Sequence, residues 1–237
     1  MSKLRLLGAA LLAALMALPG TATATAQTAT VPGHVEITPS GEQEMRDFWS
    51  RYSVPPATQE ALIKRLEAGD RIDSTRTDRD PVATENIDTA GLRRTVERFR
   101  DGSVSVTSIS RPTSAGTIGP STVNNCRSSE SGTGYVNWYD CHASSQNGVV
   151  TFGFYISYTI TPRYDQIIEV GSPYRHCSVG TCDTPKLAIR KKTETSTGSA
   201  WANITAIHTN INGSGSTKYE MRALVGDNRA STRWETP

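Results

Sequence analysis

The sequence carries little excess charge. Its 237 residues include 25 Lys and Arg against 23 Asp and Glu, which gives a formal charge of +2. Binding to nucleic acid through bulk charge needs a basic surface that neutralises phosphates. The composition therefore predicts that nucleic acid is not a partner.

Long hydrophobic runs are missing too. The apolar run from Leu6 to Leu18 covers about 13 residues, whereas a membrane-spanning helix needs about 20. Lys3 and Arg5 precede this run, and Ala24-Thr25-Ala26 follows it with the spacing that signal peptidase prefers. We expect residues 1–26 to be a signal peptide. The mature chain would then be secreted, with a net charge near zero and no membrane anchor.

The sequence also lacks the motifs of several enzyme classes. It contains no G-x-S-x-G elbow, H-E-x-x-H pair, P-loop or dinucleotide fingerprint. Asp140 and His142 form an acid–histidine pair that would share a face of a strand, but no matched nucleophile accompanies them. We expect no catalytic residues and no cofactor. A hydrolase that uses dispersed carboxylates needs no local motif and stays an alternative.

Cysteine is scarce but even in number, with Cys126, Cys141, Cys177 and Cys182. In an exported chain this favours disulfides. Pairing by closeness in sequence predicts Cys126–Cys141 and Cys177–Cys182, although three pairings are possible. A metal site at His176 is disfavoured, because adjacent residues on a strand point to opposite faces. The C-x₄-C spacing also differs from the C-x-x-C of redox sites.

Residues 27–110 predict a helical hairpin followed by a β-hairpin. Ser40 and Gln43 form a capping box, and a second helix is expected from Pro56 to about Ala68. An aromatic stripe with helical spacing lies on the first helix: Met45, Phe48, Trp49 and Tyr52. Trp49 and Tyr52 could stack on a ligand, but such stripes more often pack inside a protein, which is the interpretation we favour.

Three further segments divide the chain. Residues 70–90 are charged and irregular, which favours a solvated linker. Asp101-Gly102 predicts a two-residue turn within a hairpin over residues 91–109, with Phe99 opposite Val104. Residues 111–122 are rich in Pro, Gly, Ser and Thr, and we interpret them as a linker to the region 123–237.

The region 123–237 is typical of an all-β domain. Polar and apolar residues alternate along 149–160, 199–208 and 217–225, and shorter strands are expected at 134–141, 166–170 and 186–190. Six or so strands at this spacing predict an antiparallel β-sandwich. The whole chain is therefore expected to be an α+β protein that ends in a disulfide-stapled β-sandwich.

Tyr155 and Trp201 are the candidate binding residues. Each lies opposite the aliphatic face of its strand, and outward aromatic side chains can stack on sugars or contact proteins. The alternative is that the helical hairpin or a second sheet covers them. The sequence thus predicts an extracellular polysaccharide or protein as partner.

Three stretches resemble a loose group of uncharacterised exported actinobacterial proteins. They are RDFWSRYSVPPATQEALIKRLEAGD, TVERFRDGSVSV, and the β region with GYVNWYDC and FGFYISYTI. The resemblance implies export, a helical hairpin, an Asp-Gly hairpin and a disulfide-containing β domain, and it brings no activity with it. We therefore expect a secreted, non-catalytic binding protein, with a hydrolase or a secreted enzyme inhibitor as alternatives.

Overall fold

The structure, a computed structural model, describes residues 36–76, 78–89, 91–110, 126–210 and 215–235. The predicted signal peptide at 1–26 and the predicted linker at 111–122 lie outside these residues and stay predictions. No helix within the described ranges is long and apolar enough to cross a membrane.

Two helices form the predicted hairpin: α1, Pro39–Arg51, and α2, Pro56–Glu67. The N-cap of α1 is Thr38 rather than the predicted Ser40, because the Thr38 hydroxyl accepts a hydrogen bond from the Gly41 N–H at 3.2 Å. The Gln59 side chain donates to the Val54 carbonyl at 2.8 Å and so fixes the bend between the helices.

Within the described residues, twelve antiparallel strands follow and form two sheets. The seven-stranded sheet has the order β1-β2-β3-β5-β6-β7, with β4 beside β5; the five-stranded sheet has the order β12-β11-β10-β8, with β9 beside β10. The strands are β1 Ala83–Thr89, β2 Leu92–Arg98, β3 Val104–Ser110, β4 Ser128–Gly132, β5 Tyr135–Gln146, β6 Val150–Ile160, β7 Gln166–Cys177, β8 Thr181–Cys182, β9 Lys186–Lys191, β10 Ala200–Thr209, β11 Ser216–Gly226 and β12 Arg229–Glu235.

The two sheets pack face to face and bury the alternating apolar residues, as the sequence predicted. Phe152 of β6 reaches across the interior to Tyr219 and Trp234 of the opposite sheet, each with ring centroids 5.8 Å apart. From β10, Ala202 and Ile204 are fully buried. The α+β class with a β-sandwich is confirmed.

The helical hairpin covers the outer face of the seven-stranded sheet at one end. The β3 hydroxyl of Thr107 points inward and donates to the Thr232 carbonyl, so the neighbouring Val106 points outward. Val106 is nevertheless buried, and on β2 the Arg98 guanidinium donates to the Tyr52 carbonyl of the hairpin at 2.9 Å. The hairpin therefore belongs to the core packing of the sandwich.

The β2–β3 connection differs from the predicted two-residue turn. The Phe99 N–H donates to the Ser103 carbonyl, so three residues lie between them, and Val104 pairs with Arg98 rather than with Phe99. Asp101 explains this register, because its carboxylate accepts hydrogen bonds from Ser103 and from the Arg65 guanidinium of α2. Gly102 then takes the left-handed conformation, with φ 84°, that such a loop requires.

Four strands were not predicted from the sequence, namely β1, β4, β8 and β12. Residues 70–90 were interpreted as a linker, but Ala83–Thr89 forms the edge strand β1. At the other end of the chain, β12 forms the edge of the five-stranded sheet. The β-hairpin β2–β3 continues through β3 into β5, so it shares one sheet with the later strands.

Both predicted disulfides are present, Cys126–Cys141 and Cys177–Cys182, and no free cysteine remains. The second closes the short loop between β7 and β8. Val179, at the tip of this loop, is buried, and its carbonyl accepts a 2.6 Å hydrogen bond from the buried His208 ring. The loop therefore lies against the body of the protein.

Candidate functional site

Trp201 and Tyr155, the two predicted binding residues, lie on opposite sides of the molecule. Tyr155 is on the outer face of the seven-stranded sheet, with 39% of its surface exposed. Trp201 is half-buried on the outer face of the five-stranded sheet. Because the interior of the sandwich separates the two faces, the two side chains cannot contribute to one surface.

The side chains of β10 that point outward form the floor of a shallow channel, which we call the β10 groove. Its floor consists of Trp201, Asn203, Thr205 and Ile207. It contains two depressions of about 230 and 290 Å³, the first around Trp201 and the second between Asn203 and Ile207. A strand rises about 3.3 Å per residue, so the floor is about 20 Å long.

Arg222 of β11 holds Trp201 in place. Its guanidinium carbon lies 4.4 Å from the centre of the Trp201 ring, a cation–π distance, and its Nε donates to the Glu220 carboxylate at 2.8 Å. One face of the indole is therefore used by the protein. The bond to Glu220 fixes the guanidinium, so the Trp201 ring is oriented before any ligand arrives.

Positively charged side chains flank the groove on both sides. On the β9 side, Lys191 donates to the Thr195 hydroxyl and the Gly198 carbonyl at 2.8 and 2.7 Å, and Arg190 donates to the Asn203 amide oxygen at 2.8 Å. None of these acceptors is charged, so both cations keep their full charge toward the groove.

A third depression, of about 340 Å³, adjoins the groove at the end of the sandwich away from the helices. It shares Gly198 and Ser199 with the Trp201 depression, and Tyr164 at its rim is 54% exposed. The carboxylate of Glu194, which also lines it, accepts hydrogen bonds from the N–H groups of Asp165 and Asp227. This depression continues the β10 groove and lengthens the surface on which a long ligand could lie.

On the opposite face, Tyr155 belongs to a small aromatic cluster with His142 and Tyr174. Tyr174 lies flat across Gly153, reaches β5, and forms a 3.0 Å hydrogen bond with the His142 ring. Burial lowers the pKa of His142 and raises the pKa of Tyr174 to about 12, so both are neutral at pH 7. Because Gly153 has no side chain, the Tyr174 ring packs directly against the backbone of β6, and the cluster is part of the sheet packing.

Gly153→Ala is expected to destabilise the protein by roughly 1–3 kcal/mol, because the new methyl group meets the Tyr174 ring. In a Tyr174→Ala background the same change should cost little, or stabilise slightly, because glycine weakens a strand. Urea unfolding of the four proteins gives the coupling. An equal cost in both backgrounds would show that Tyr174 does not rest on Gly153.

The remaining residues considered from sequence have other partners. Asp140 does not meet His142: a bulge in β5 gives it a φ of 50°, and its carboxylate pairs with Arg127 at 3.2 Å. His176 lies 2.6 Å from the carboxylate of Glu44 on α1. The described part of the chain contains no group of three His, Cys, Asp or Glu that could hold a metal ion.

The aromatic stripe of α1 packs inside the protein, as the sequence analysis favoured. Trp49 is fully buried, and Tyr52 packs against Phe48 with ring centroids 5.1 Å apart. The groove cations were missed as a set. Alternation along β11 indicates that Lys218 and Arg222 point outward, but it does not show which strands lie beside them.

Comparison with known proteins adds no function. No family model matches the chain, and no curated protein matches it. A crystal structure of a hypothetical protein from Listeria monocytogenes EGD-e covers 61% of this chain and 94% of its own, with 16% identity and a TM-score of 0.32. That likeness is too low to carry an argument. The resemblance to exported actinobacterial proteins stays a prediction.

Proposed function

We propose that this chain is an exported, non-catalytic binding protein that holds an extended polysaccharide in the β10 groove. The observation that carries the proposal is the groove itself, about 20 Å of strand floor with an oriented tryptophan at one end. Its two depressions are each smaller than the roughly 300–1000 Å³ of common small-molecule pockets. A ligand that spans several shallow depressions fits this shape better than one that fills a single cavity.

Trp201 supplies the apolar contact that sugar recognition needs. An aromatic ring offers a large, rigid surface for the C–H faces of a sugar ring, and its orientation by Arg222 reduces the entropy lost on binding. Thr205 on the floor offers a hydroxyl for hydrogen bonds to sugar hydroxyls, whereas Asn203 is buried and its amide oxygen accepts from Arg190. This combination supports a polysaccharide more than a protein partner.

The hydrolase alternative receives less support. Asp165 and Glu194 lie together at the loop end of the sandwich and are the best acid pair near a depression. All four of their carboxylate oxygens accept hydrogen bonds from backbone N–H groups of Thr161, Asn228, Asp165 and Asp227. Because these carboxylates are fully used as hydrogen-bond acceptors of loop backbone groups, they stabilise the loops and are poorly placed to act on a substrate.

The inhibitor alternative predicted that the loop at 174–185 would protrude into the cleft of a partner. Instead the loop packs on the body: Val179 is buried, and the backbone at Ser178 lies against Gly41 of α1. The geometry gives this alternative no support. Export is supported by the two disulfides, which persist in oxidising compartments.

Trp201→Ala is expected to weaken polysaccharide binding about thirtyfold, because a central aromatic contact commonly contributes about 2 kcal/mol. The measurement is fluorescence quenching and affinity electrophoresis with soluble dextran, hydroxyethylcellulose and polygalacturonate. Unchanged polymer length after incubation would separate binding from hydrolysis.

Tyr155→Ala is the matched control, because it removes an aromatic side chain from the opposite face. It should leave the affinity within about twofold of the original. Loss of binding in Tyr155→Ala with retention in Trp201→Ala would move the site to the other sheet and reject the groove.

A further inference from the structure

The walls of the β10 groove carry an excess of positive charge, although the chain as a whole is nearly neutral. Six cations line its two depressions: Lys186, Arg190, Lys191, Lys218, Arg222 and Arg233. Three carboxylates lie among or beside them, those of Asp183, Glu220 and Glu235. The groove therefore has three more positive than negative charges.

The sheet places five of these cations in two rows, while Arg233 lies on β12 beyond Arg222. Lys186, Arg190 and Lys191 belong to β9, while Lys218 and Arg222 belong to β11 on the other side of β10. Neighbouring strands lie about 4.8 Å apart, so the rows are about 10 Å apart with the β10 floor between them. An extended chain on this floor would have cations on both sides.

The individual cations differ in how far their charge is already neutralised. Arg222 pairs with Glu220 at 2.8 Å and with Glu235 at 3.6 Å. Within the described residues, Lys186 and Lys218 have no carboxylate within ion-pair distance, and both are exposed. These lysines and Arg190 thus offer the most charge to a ligand.

The rows are less densely charged than a polyanion that carries a charge on every repeat unit. Lys186 and Arg190 are four residues apart on one strand, as are Lys218 and Arg222, which corresponds to about 13 Å. Each strand of a nucleic acid carries a phosphate about every 3.4 Å along the helix axis, far denser than these rows. A carboxylated sugar polymer such as polygalacturonate is also more densely charged than the rows, so the rows would pair with only some of its carboxylates, while its apolar sugar faces suit Trp201.

We propose that the β10 groove selects an acidic polysaccharide, one whose carboxylates pair with the two rows of cations while a sugar ring rests near Trp201. The inference rests on the proposed function and adds the chemical class of the ligand. It predicts binding that weakens as salt is raised, since exposed charges are screened within about 8–10 Å at physiological ionic strength.

The test compares sodium polygalacturonate with neutral dextran, using the full chain. The variant Lys186→Gln/Arg190→Gln/Lys218→Gln should bind polygalacturonate about ten to a hundred times more weakly, from three exposed ion pairs. Lys64→Gln/Arg79→Gln/Arg100→Gln removes the same charge from exposed positions elsewhere and should keep the affinity. The charge-preserving variant Lys186→Arg/Arg190→Lys/Lys218→Arg should also keep most of it.

The outcomes distinguish the two proposals. Binding of dextran and polygalacturonate with equal, Trp201-dependent affinity would retain the proposed function and overturn the acidic ligand. Tighter binding of a single-stranded DNA oligomer of matched charge would also overturn it, in favour of a nucleic acid. Absence of binding to either polysaccharide would reject the proposed function together with this inference.

Discussion

Replacing Trp49 with alanine is expected to lower the free energy of unfolding by about 3–5 kcal/mol. Trp49 has no exposed surface, and its indole nitrogen lies 2.8 Å from the position that a Cβ would take at Gly148, in the turn between β5 and β6. The cavity left by alanine would open between α1 and this turn. Urea unfolding followed by far-ultraviolet circular dichroism measures the loss, which for a marginally stable domain is a large fraction of the total.

Trp49→Phe is the control that separates volume from hydrogen bonding. The indole N–H has no hydrogen-bond partner among the described residues, so phenylalanine loses volume but no polar contact. It should cost clearly less than alanine. If alanine and phenylalanine were equally mild, the helical hairpin would not be held by this side chain, and its packing on the sheet would have another cause.

Periodicity made the helices and the central strands predictable from sequence. The i, i+3, i+4 spacing of Met45, Phe48 and Trp49 identifies the buried stripe of α1, because an amphipathic helix must bury its apolar face. The period of two along β6 likewise identifies Phe152 and Phe154 as interior residues. These patterns depend only on local geometry.

Edge strands and turn registers were not predictable by the same reasoning. The sequence of β1, ATENIDT, has no apolar alternation, because six of its seven residues are exposed. Pairing with β2 by backbone hydrogen bonds is what makes it a strand. The register at Gly102 depends on Asp101, whose bond to Arg65 joins positions 36 residues apart and is invisible to local spacing.

The candidate site required the topology of the sheets. Alternation showed that Tyr155 and Trp201 point outward, but not that β6 and β10 belong to different sheets. For the same reason the cations of β9, β11 and β12 could not be added together until the strands were known to be neighbours. The sequence predicts which face of a strand is exposed to solvent. A binding surface depends in addition on which strands are neighbours in one sheet, because only their exposed faces form a continuous surface.

Asp165→Ala is expected to destabilise the protein by about 2–4 kcal/mol at pH 7. Asp165 is fully buried, and its two carboxylate oxygens accept hydrogen bonds from the Thr161 N–H at 2.9 Å and the Asn228 N–H at 2.8 Å. These bonds join the β6–β7 turn of one sheet to the β11–β12 turn of the other. Alanine would leave both donors without an acceptor, and each such loss costs about 1–3 kcal/mol. Asp80→Ala, an exposed position, should change stability by less than about 0.5 kcal/mol.

The loss of stability caused by Asp165→Ala is expected to depend on pH. Burial raises the pKa of Asp165, against the hydrogen bonds from Thr161 and Asn228, which lower it. The folded state therefore holds the proton more tightly than the unfolded chain. The contribution of this linkage to stability is fully present below the unfolded pKa of about 3.9 and is lost as pH rises through the raised folded pKa. We expect the cost of Asp165→Ala to grow as the pH falls from 7 toward 4, measured by urea unfolding at several pH values.

The direction of the stability change also decides between the binding protein and the hydrolase. A buried carboxylate kept for acid catalysis is a strained group, and its removal commonly stabilises an enzyme at the expense of activity. A carboxylate that ties two turns together does the opposite, because its removal frees the loop ends. Since Asp165 bonds only to backbone groups in the described structure and Glu194 repeats the arrangement beside it, we expect a loss of stability. A more stable Asp165→Ala variant would contradict the structural role and would favour the hydrolase alternative.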